Sequence, residues 1–600
     1  MARITVTTDY RVEQGQTLTF SNDDGFFVAF AYGAEGDVTV AGQVKVSGTN
    51  SLSGIRVGGS SFYDTSDVTI DGGGLLQVTS TRGAATGFES SSWGPNVFLH
   101  GTVEVIGATS ATGVSSHDPK DWRFENTGLL KVTSAGSAVG LSATGAVFKN
   151  TGEITVSGAS SALGVSIGSL EPSSFHNVGS IRAVTSQTGQ SVGVSFSGVL
   201  KSASAFVNDG LIEADVAIRF APTLAYWGDG VINNGTLIGD VDLGYRGAVL
   251  TNNGRIEGDV LLGGGDDKYD GVKGRGLGAV FGGAGNDTIY SGAESETLSG
   301  GEGHDYLTGF YGEDLVSGGP GNDTIYGWTV SYAEAPAGVS VDLIGGRASG
   351  EGEDRIYTQR VIGSQFADTL AGSYKPDVLM GGAGDDDLSG DIDADTLDGG
   401  AGADTIHGGA GNDLILSGSG GAYLRGDDGN DTIVGGDDAF EDLHGNAGDD
   451  SVSGGGADDW VVGGKDQDQL KGGAGADIVY GNLGNDTCSG DEGDDIVRGG
   501  QNDDVLYGGA GDDWLSGDRH NDTISGGPGA DTFHTFGDAG VDRVIDFNAA
   551  EGDRVQLDRG TVYTVHQDLD DVVIQMEGGG QMFLIGVKLA TLPEGWIFTL

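Results

Sequence analysis

The chain has 600 residues, with 88 Asp and Glu against 30 Lys and Arg, for a formal net charge of −58. That balance excludes nucleic acid and anionic membrane as default partners and suits carboxylates neutralised by bound metal. The 115 glycines would mark low complexity if scattered, but they recur at fixed periods and are therefore architectural.

Residues 1–260 carry a repeat whose anchor is Phe-x-Asn-x-Gly followed by alternating apolar residues. It reads Phe124-Glu-Asn-Thr-Gly128-Leu-Leu-Lys-Val132 and Phe148-Lys-Asn-Thr-Gly152-Glu-Ile-Thr-Val156. It recurs at Phe175–Gly179 and Phe206–Gly210, and more loosely at Asn233-Asn-Gly235 and Asn252-Asn-Gly254. Gly42, Gly74 and Gly101 open similar strands upstream. A second glycine precedes an apolar residue in each unit, as in Gly54-Ile55, Gly87-Phe88, Gly113-Val114, Gly140-Leu141 and Gly164-Val165. Short alternating runs broken by Ser, Thr and Gly, without helical periodicity, predict a parallel β-helix in which each coil covers the apolar edge of the last. The anchor asparagines are expected to form a side-chain ladder between coils. This half resembles the β-helical passenger and adhesin regions of large secreted bacterial proteins.

A β-helix can also host a polysaccharide lyase or uronate epimerase, so a carbohydrate-active enzyme is the alternative reading of this half. The loop Asp118-Pro-Lys-Asp121-Trp122-Arg123 is where acid, base and aromatic meet, but it matches no catalytic motif and reads as a loop anchor. Trp93 and Trp227 read as loop or edge packing. Gly164-Val-Ser166-Ile-Gly168 and Gly189-Gln-Ser191-Val-Gly193 match Gly-x-Ser-x-Gly, yet neither leads from a strand into a helix as a nucleophile elbow must. No His-Glu-x-x-His zinc motif occurs. The reading therefore leans away from catalysis.

Residues 261–534 change period. Gly282-Gly-Ala-Gly-Asn-Asp-Thr-Ile-Tyr290 is a nonapeptide with Asp sixth and an apolar residue eighth. It returns at Gly318–Tyr326, Gly381–Ser389, Gly399–His407, Gly408–Leu416, Gly472–Tyr480, Gly508–Ser516 and Gly526–His534. The sixth position supplies Asp287, Asp305, Asp314, Asp323, Asp368, Asp377, Asp386, Asp395, Asp404 and Asp413. After Ala422 breaks the row it supplies Asp431, Asp450, Asp459, Asp468, Asp477, Asp486, Asp495, Asp504, Asp513, Asp522 and Asp531. With two nonapeptides per coil, equivalent aspartates stack every eighteen residues, about 4.8 Å apart. Bare carboxylates at about 5 Å repel by roughly 3 kcal/mol per pair at an effective dielectric near 20. A cation between the rungs removes that cost, and calcium, which accepts six to eight oxygens including backbone carbonyls, fits better than magnesium.

This nonapeptide is identified as the haemolysin-type calcium-binding repeat of RTX proteins. The resemblance implies parallel β-rolls that hold multiple Ca2+ ions, with the sixth-position aspartates as metal ligands. Cys488, the single cysteine, takes an inward eighth position as a buried thiol and permits no internal disulfide. His407 and His534 take the variable ninth position and read as solvated.

The expected fold is all-β: a parallel β-helix over 1–260, a first β-roll block over 261–326, a strand-rich insertion over 327–362, the main β-roll over 363–534, and a C-terminal β cap over 535–600. The cap alternates apolar residues, as in Val541–Phe547 and Val572–Met576. It also resembles the region that RTX proteins present to a type I (ABC-transporter) secretion system. That uncleaved signal accounts for the lack of a signal-peptide core in Met1–Tyr10. No apolar run reaches transmembrane length. The expectation is an extracellular calcium-binding protein with an adhesive, matrix or surface role and cell-surface or matrix polysaccharide as a ligand.

Overall fold

The computed structural model describes residues 2–6, 10–21, 26–30, 38–57, 67–90, 96–116, 122–144, 146–168, 174–187, 189–197, 206–221, 230–244, 247–276, 278–309 and 311–600. Of the stretches singled out above, residues 118–121, Trp93 and Trp227 lie outside them. The chain divides into two compact units, 1–328 and 329–600. Both are built from stacked parallel strands, and the fold is all-β.

In the first unit, Trp122–Asn126 pairs with Ala146–Asn150, which pairs in turn with Phe175–Asn177 and then Phe206–Asn208. The register places Phe on Phe and Asn on Asn. Phe148, Phe175 and Phe206 stack nearly face to face, with centroids 4.4 and 4.3 Å apart. Beside them the asparagines form the expected ladder. Each Nδ2 donates to the next Oδ1, from Asn126 through Asn150, Asn177, Asn208 and Asn233 to Asn252, at 2.7–2.8 Å. These amides are buried, so every rung exchanges polar satisfaction with its neighbours.

The second glycine of each coil answers to space. A Cβ on Gly87, Gly113, Gly140 or Gly164 would run into the carbonyl of the corresponding glycine one coil on. The strand also bends there: in Ala85–Ser90, Gly87 and Phe88 both face inward, which breaks strict alternation. Strand pairing runs from the Asn-anchored coils into the calcium-type coils, because Val260–Gly264 pairs with both Thr236–Asp242 and Ala279–Ala284.

In the second unit, the pairing of Val378 with Thr396 and of Thr405 with Tyr423 fixes eighteen residues, two strands, per coil. Apolar eighth-position residues face inward: Leu379, Ile406, Leu470, Cys488, Leu506, Leu515 and Phe533 are at most 1% exposed. Fully burying one such Leu or Ile contributes about 1.5–3 kcal/mol. Ahead of these coils, Ser340–Asp342, Arg347–Ser349 and Glu353–Tyr357 form an antiparallel meander, whose first strand also pairs parallel with Thr369–Ser373. At the other end, Val541–Val544 and Arg554–Leu557 add to the two strand columns. The antiparallel strands Tyr563–Asp568, Asp571–Met576 and Gln581–Leu584 follow.

Candidate metal centre

Each coil positions its carboxylates through backbone conformation. The second and fourth residues of the nonapeptide take positive φ, as at Gly283 (+110°) and Gly285 (+133°). Glycine adopts this region without steric cost. Where the sequence departs from glycine there, Asp or Asn mostly replaces it, as at Asp391, Asn446, Asn482 and Asp518, the residues that best tolerate left-handed backbone. The first glycine serves a different need. A Cβ on Gly472, Gly481 or Gly508 would strike Oδ2 of Asp477, Asp486 or Asp513, five residues on.

Every predicted aspartate is buried, none more than 3% exposed. They stack as the eighteen-residue repeat requires, and the structure adds a bond that pattern reading missed. The backbone N–H of most of these aspartates donates to Oδ1 of the aspartate one coil later. Asp287 donates to Asp305 and Asp305 to Asp323, at 2.7 and 2.8 Å. In the second unit one column runs from Asp377 through Asp395, Asp413, Asp431, Asp450, Asp468, Asp486 and Asp504 to Asp522, at 2.7–2.9 Å. The other joins Asp368 to Asp386 and Asp404, breaks at Ala422, then joins Asp459 to Asp477, Asp495, Asp513 and Asp531.

The other carboxylate oxygen has no hydrogen-bond partner. Oδ2 is buried and unpartnered in Asp287, Asp305, Asp386, Asp395, Asp404, Asp413 and Asp431, and again from Asp450 through Asp531. Three aspartates depart from this. Asp377 leaves Oδ1 open instead. Asp314 accepts the Ser291 hydroxyl at Oδ2 (3.0 Å), and Asp368 accepts the Ser364 hydroxyl at Oδ1 (2.8 Å). Pure repulsion within the row is therefore an incomplete description, because backbone N–H groups hold one oxygen of these carboxylates while in most of them the second remains unanswered.

The buried row resists ionisation. Burial, reinforced by like charges one coil away, pushes the Asp468 and Asp504 carboxyls up to about 8 and that of Asp513 up to about 7. Burial likewise raises Asp486 to about 6, against the pull of the Asp468 N–H. A buried carboxylate oxygen without a donor is a group that a cation would satisfy. Among the described residues no group of three or more His, Cys, Asp or Glu converges as a metal cluster. A cation beside these rows would meet carboxylate oxygens and backbone carbonyls, a donor set that suits calcium.

The row also holds residues the motif passes over. Glu296 and Glu441 occupy aspartate positions, buried, with N–H groups donating to Asp314 and Asp459. Asp267 opens the first unit's row by donating to Asp287, and Asp553 receives the N–H of Asp531. Their eighteen- to twenty-two-residue spacing was the available signal. A second ladder runs outside the first, at the fifth position and in the opposite sense. Oδ1 of Asn286, Asp385, Asp458 and Asp494 accepts the N–H of the following coil, at 2.8–2.9 Å.

Neither Gly-x-Ser-x-Gly match forms an elbow. Ser166 lies within the parallel strand Ser161–Ile167, and Ser191 bonds Asp215 on the next coil at 2.8 Å. His534 is not solvated as its position suggested. Its side chain is 12% exposed, stacked on Trp514 and paired with Asp558 at 3.2 Å. Cys488 is buried, and burial raises its thiol pKa well above the usual value.

The family model for the RTX calcium-binding nonapeptide repeat (4 copies) matches residues 279–307, 290–325, 362–397, 389–423, 417–439, 436–470, 467–497 and 498–533. No curated protein matches the chain. Among solved structures, the extracellular lipase LipA from Serratia marcescens matches at 19% identity and a TM-score of 0.13. That match covers 30% of this chain and 40% of the lipase chain. The stacked carboxylate rows and the repeat match coincide: within residues 279–533 the chain carries RTX-type nonapeptide repeats, which bind calcium at multiple sites.

Proposed function

We propose that this protein is exported through a type I (ABC-transporter) system, folds its rolls when extracellular calcium fills the carboxylate rows, and then acts in adhesion, matrix formation or surface association. The observation that carries the reading is the run of buried Oδ2 atoms without a donor. Calcium supplies the positive charge that these oxygens lack and accepts backbone carbonyls in the same shell. The sixth-position aspartates named above are the proposed side-chain ligands, with Glu296 and Glu441 in equivalent places. Export with empty sites would keep the chain unfolded, and folding outside would oppose its return. Cell-surface or matrix polysaccharide is the proposed ligand class.

The test is far-UV circular dichroism of the full chain through a calcium titration. The expected result is a β signal from the rolls that rises cooperatively with calcium, while the Asn-anchored coils contribute a constant share. A spectrum unchanged by chelator would overturn the calcium-dependent fold. The surface role is tested by how much secreted protein stays on washed cells with and without calcium.

A further inference from the structure

We propose that one face of the main roll, around the strands from Asp442–Ala447 to Thr532–Thr535, is a binding groove for a linear glycan that carries sugar carboxylates. The inference deepens the surface and matrix reading above and rests on it for the ligand class.

The two strand columns of this roll are not chemically alike. In one column the ninth-position residues from His407 onward read His407, Arg425, His444, Val462, Tyr480, Arg498, Ser516 and His534. In the other column they read Asp398, Leu416, Val434, Ser453, Lys471, Ser489, Tyr507 and Ser525. The first column also carries Tyr423, Trp460 and Trp514 at the seventh position. Rings follow one another along it, with Tyr423, His444 and Trp460 at 5.9 and 6.3 Å. The Arg425 and Arg498 guanidinium groups lie over Tyr423 and Tyr480 at 5.3 and 5.5 Å.

This column borders a groove of 990 Å³. Its wall presents His444, Lys465, Arg498, Arg519 and His534 against the acids Asp518 and Asp558. In a chain where acids outnumber bases 88 to 30, three Lys and Arg against two Asp on one wall is a local enrichment of cations. Arg498 is held in place by Asp518 at 2.7 Å; Lys465 and Arg519 are exposed, and Arg519 lies 3.7 Å from Asp538. Those two stand at equivalent third positions three rungs apart, about 14 Å at the usual strand spacing.

An open groove with fixed polar side chains, spaced cations and the rings of His444, His534 and Phe536 on its wall matches a chain of sugars with carboxylates at intervals. Sugar rings stack on aromatic faces, and Asn446, Asn482 and Gln501 offer hydrogen-bonding groups for hydroxyls. A nucleic acid carries one negative charge per about 1.7 Å of duplex axis. A chain of net charge −58 disfavours that density more than it disfavours a sparser uronate polymer.

The experiment uses the full chain loaded with calcium and three probes: a hyaluronan oligosaccharide, neutral dextran and poly(dT). The expected result is binding of hyaluronan at least tenfold tighter than of the other two. K465Q combined with R519Q should weaken it at least tenfold, while K471Q on the opposite column leaves it unchanged. In the unsubstituted protein, bound oligosaccharide should protect Lys465, but not Lys471, from acetylation read by mass spectrometry. Equal binding of dextran or poly(dT), undiminished binding by the double variant, or no protection of Lys465 would each overturn the proposal. If hyaluronan fails to bind while the protein stays on washed cells in calcium, the groove is wrong and the surface role stands. If retention also fails, the surface role falls with it.

Discussion

Asp486 illustrates how one residue holds two jobs. Its Oδ1 accepts the Asp468 N–H, and its Oδ2 is buried without a donor. Asp486→Asn keeps an acceptor and removes the charge, whereas Asp486→Ala also strands a buried N–H, which costs about 1–3 kcal/mol. Both should weaken calcium binding about tenfold, the scale of one charged contact of about 1.4 kcal/mol. Only the alanine variant should also lose stability in saturating calcium, where both remain folded. Isothermal titration and denaturation in calcium separate the two, and an Asp486→Ala isotherm that overlays the parent would show that Asp486 is not a ligand. Asn177 offers the calcium-independent counterpart. It accepts from Asn150 and donates to Asn208, so Asn177→Ala leaves a donor and an acceptor unmatched and should destabilise the Asn-anchored coils by about 2–4 kcal/mol. Urea unfolding in chelator should register that loss, and equal loss in calcium would agree with it.

A coil as a unit has a pH response of its own. In the calcium-free fold, burial lifts the carboxyls of Asp468 and Asp504 to about 8 and of Asp486 to about 6, above an unfolded value of about 3.9. The folded coil then holds more protons than the unfolded chain, so this contribution to stability is full below about pH 4 and is lost as pH rises through 6 to 8. In chelator, the β signal should therefore be stronger at pH 5 than at pH 8. With calcium present the order reverses, because protons compete for the same oxygens and calcium binding releases them. A calcium-free chain more ordered at pH 8 would contradict this. Much of the coil was legible from residue order alone. Period nine, the inward eighth position and the eighteen-residue stack all follow from Asp287, Asp305 and Asp323 with Ile289 and Ile325, because a repeat imposes the same geometry on every copy. The asparagine ladder was legible for the same reason. The N–H to Oδ1 bond was not, because it depends on how far each coil slides past the next. Glu296 and Glu441 were hidden because they keep the place but not the letter. The buried face of His534 came from Trp514 and Phe536, neighbours that its position within the repeat does not specify.

For the whole molecule, the tail is where the proposed export route and the fold meet. Residues 535–600 supply Asp553, which receives the Asp531 N–H, and the strands that extend both columns. Removing them should abolish secretion from a strain carrying the cognate type I system and slow calcium-induced folding of the purified chain. Removing residues 1–20 should leave secretion intact. Normal export of the tail-deleted chain would refute this reading of the tail.

The inner ladder points one way: each sixth-position amide that joins it looks toward the C-terminus for its acceptor. Such a stack has unlike ends, as a magnet does. Cutting coils from the N-terminal side of the main roll uncovers a carboxylate oxygen, which water or a proton can satisfy. Cutting from the C-terminal side uncovers a buried N–H, the group that folded proteins least often leave unmet. Trimming one coil at a time should therefore shorten the roll gracefully from the front and unravel it from the back, and a fragment that keeps Asp553 should outlast a longer one that lacks it.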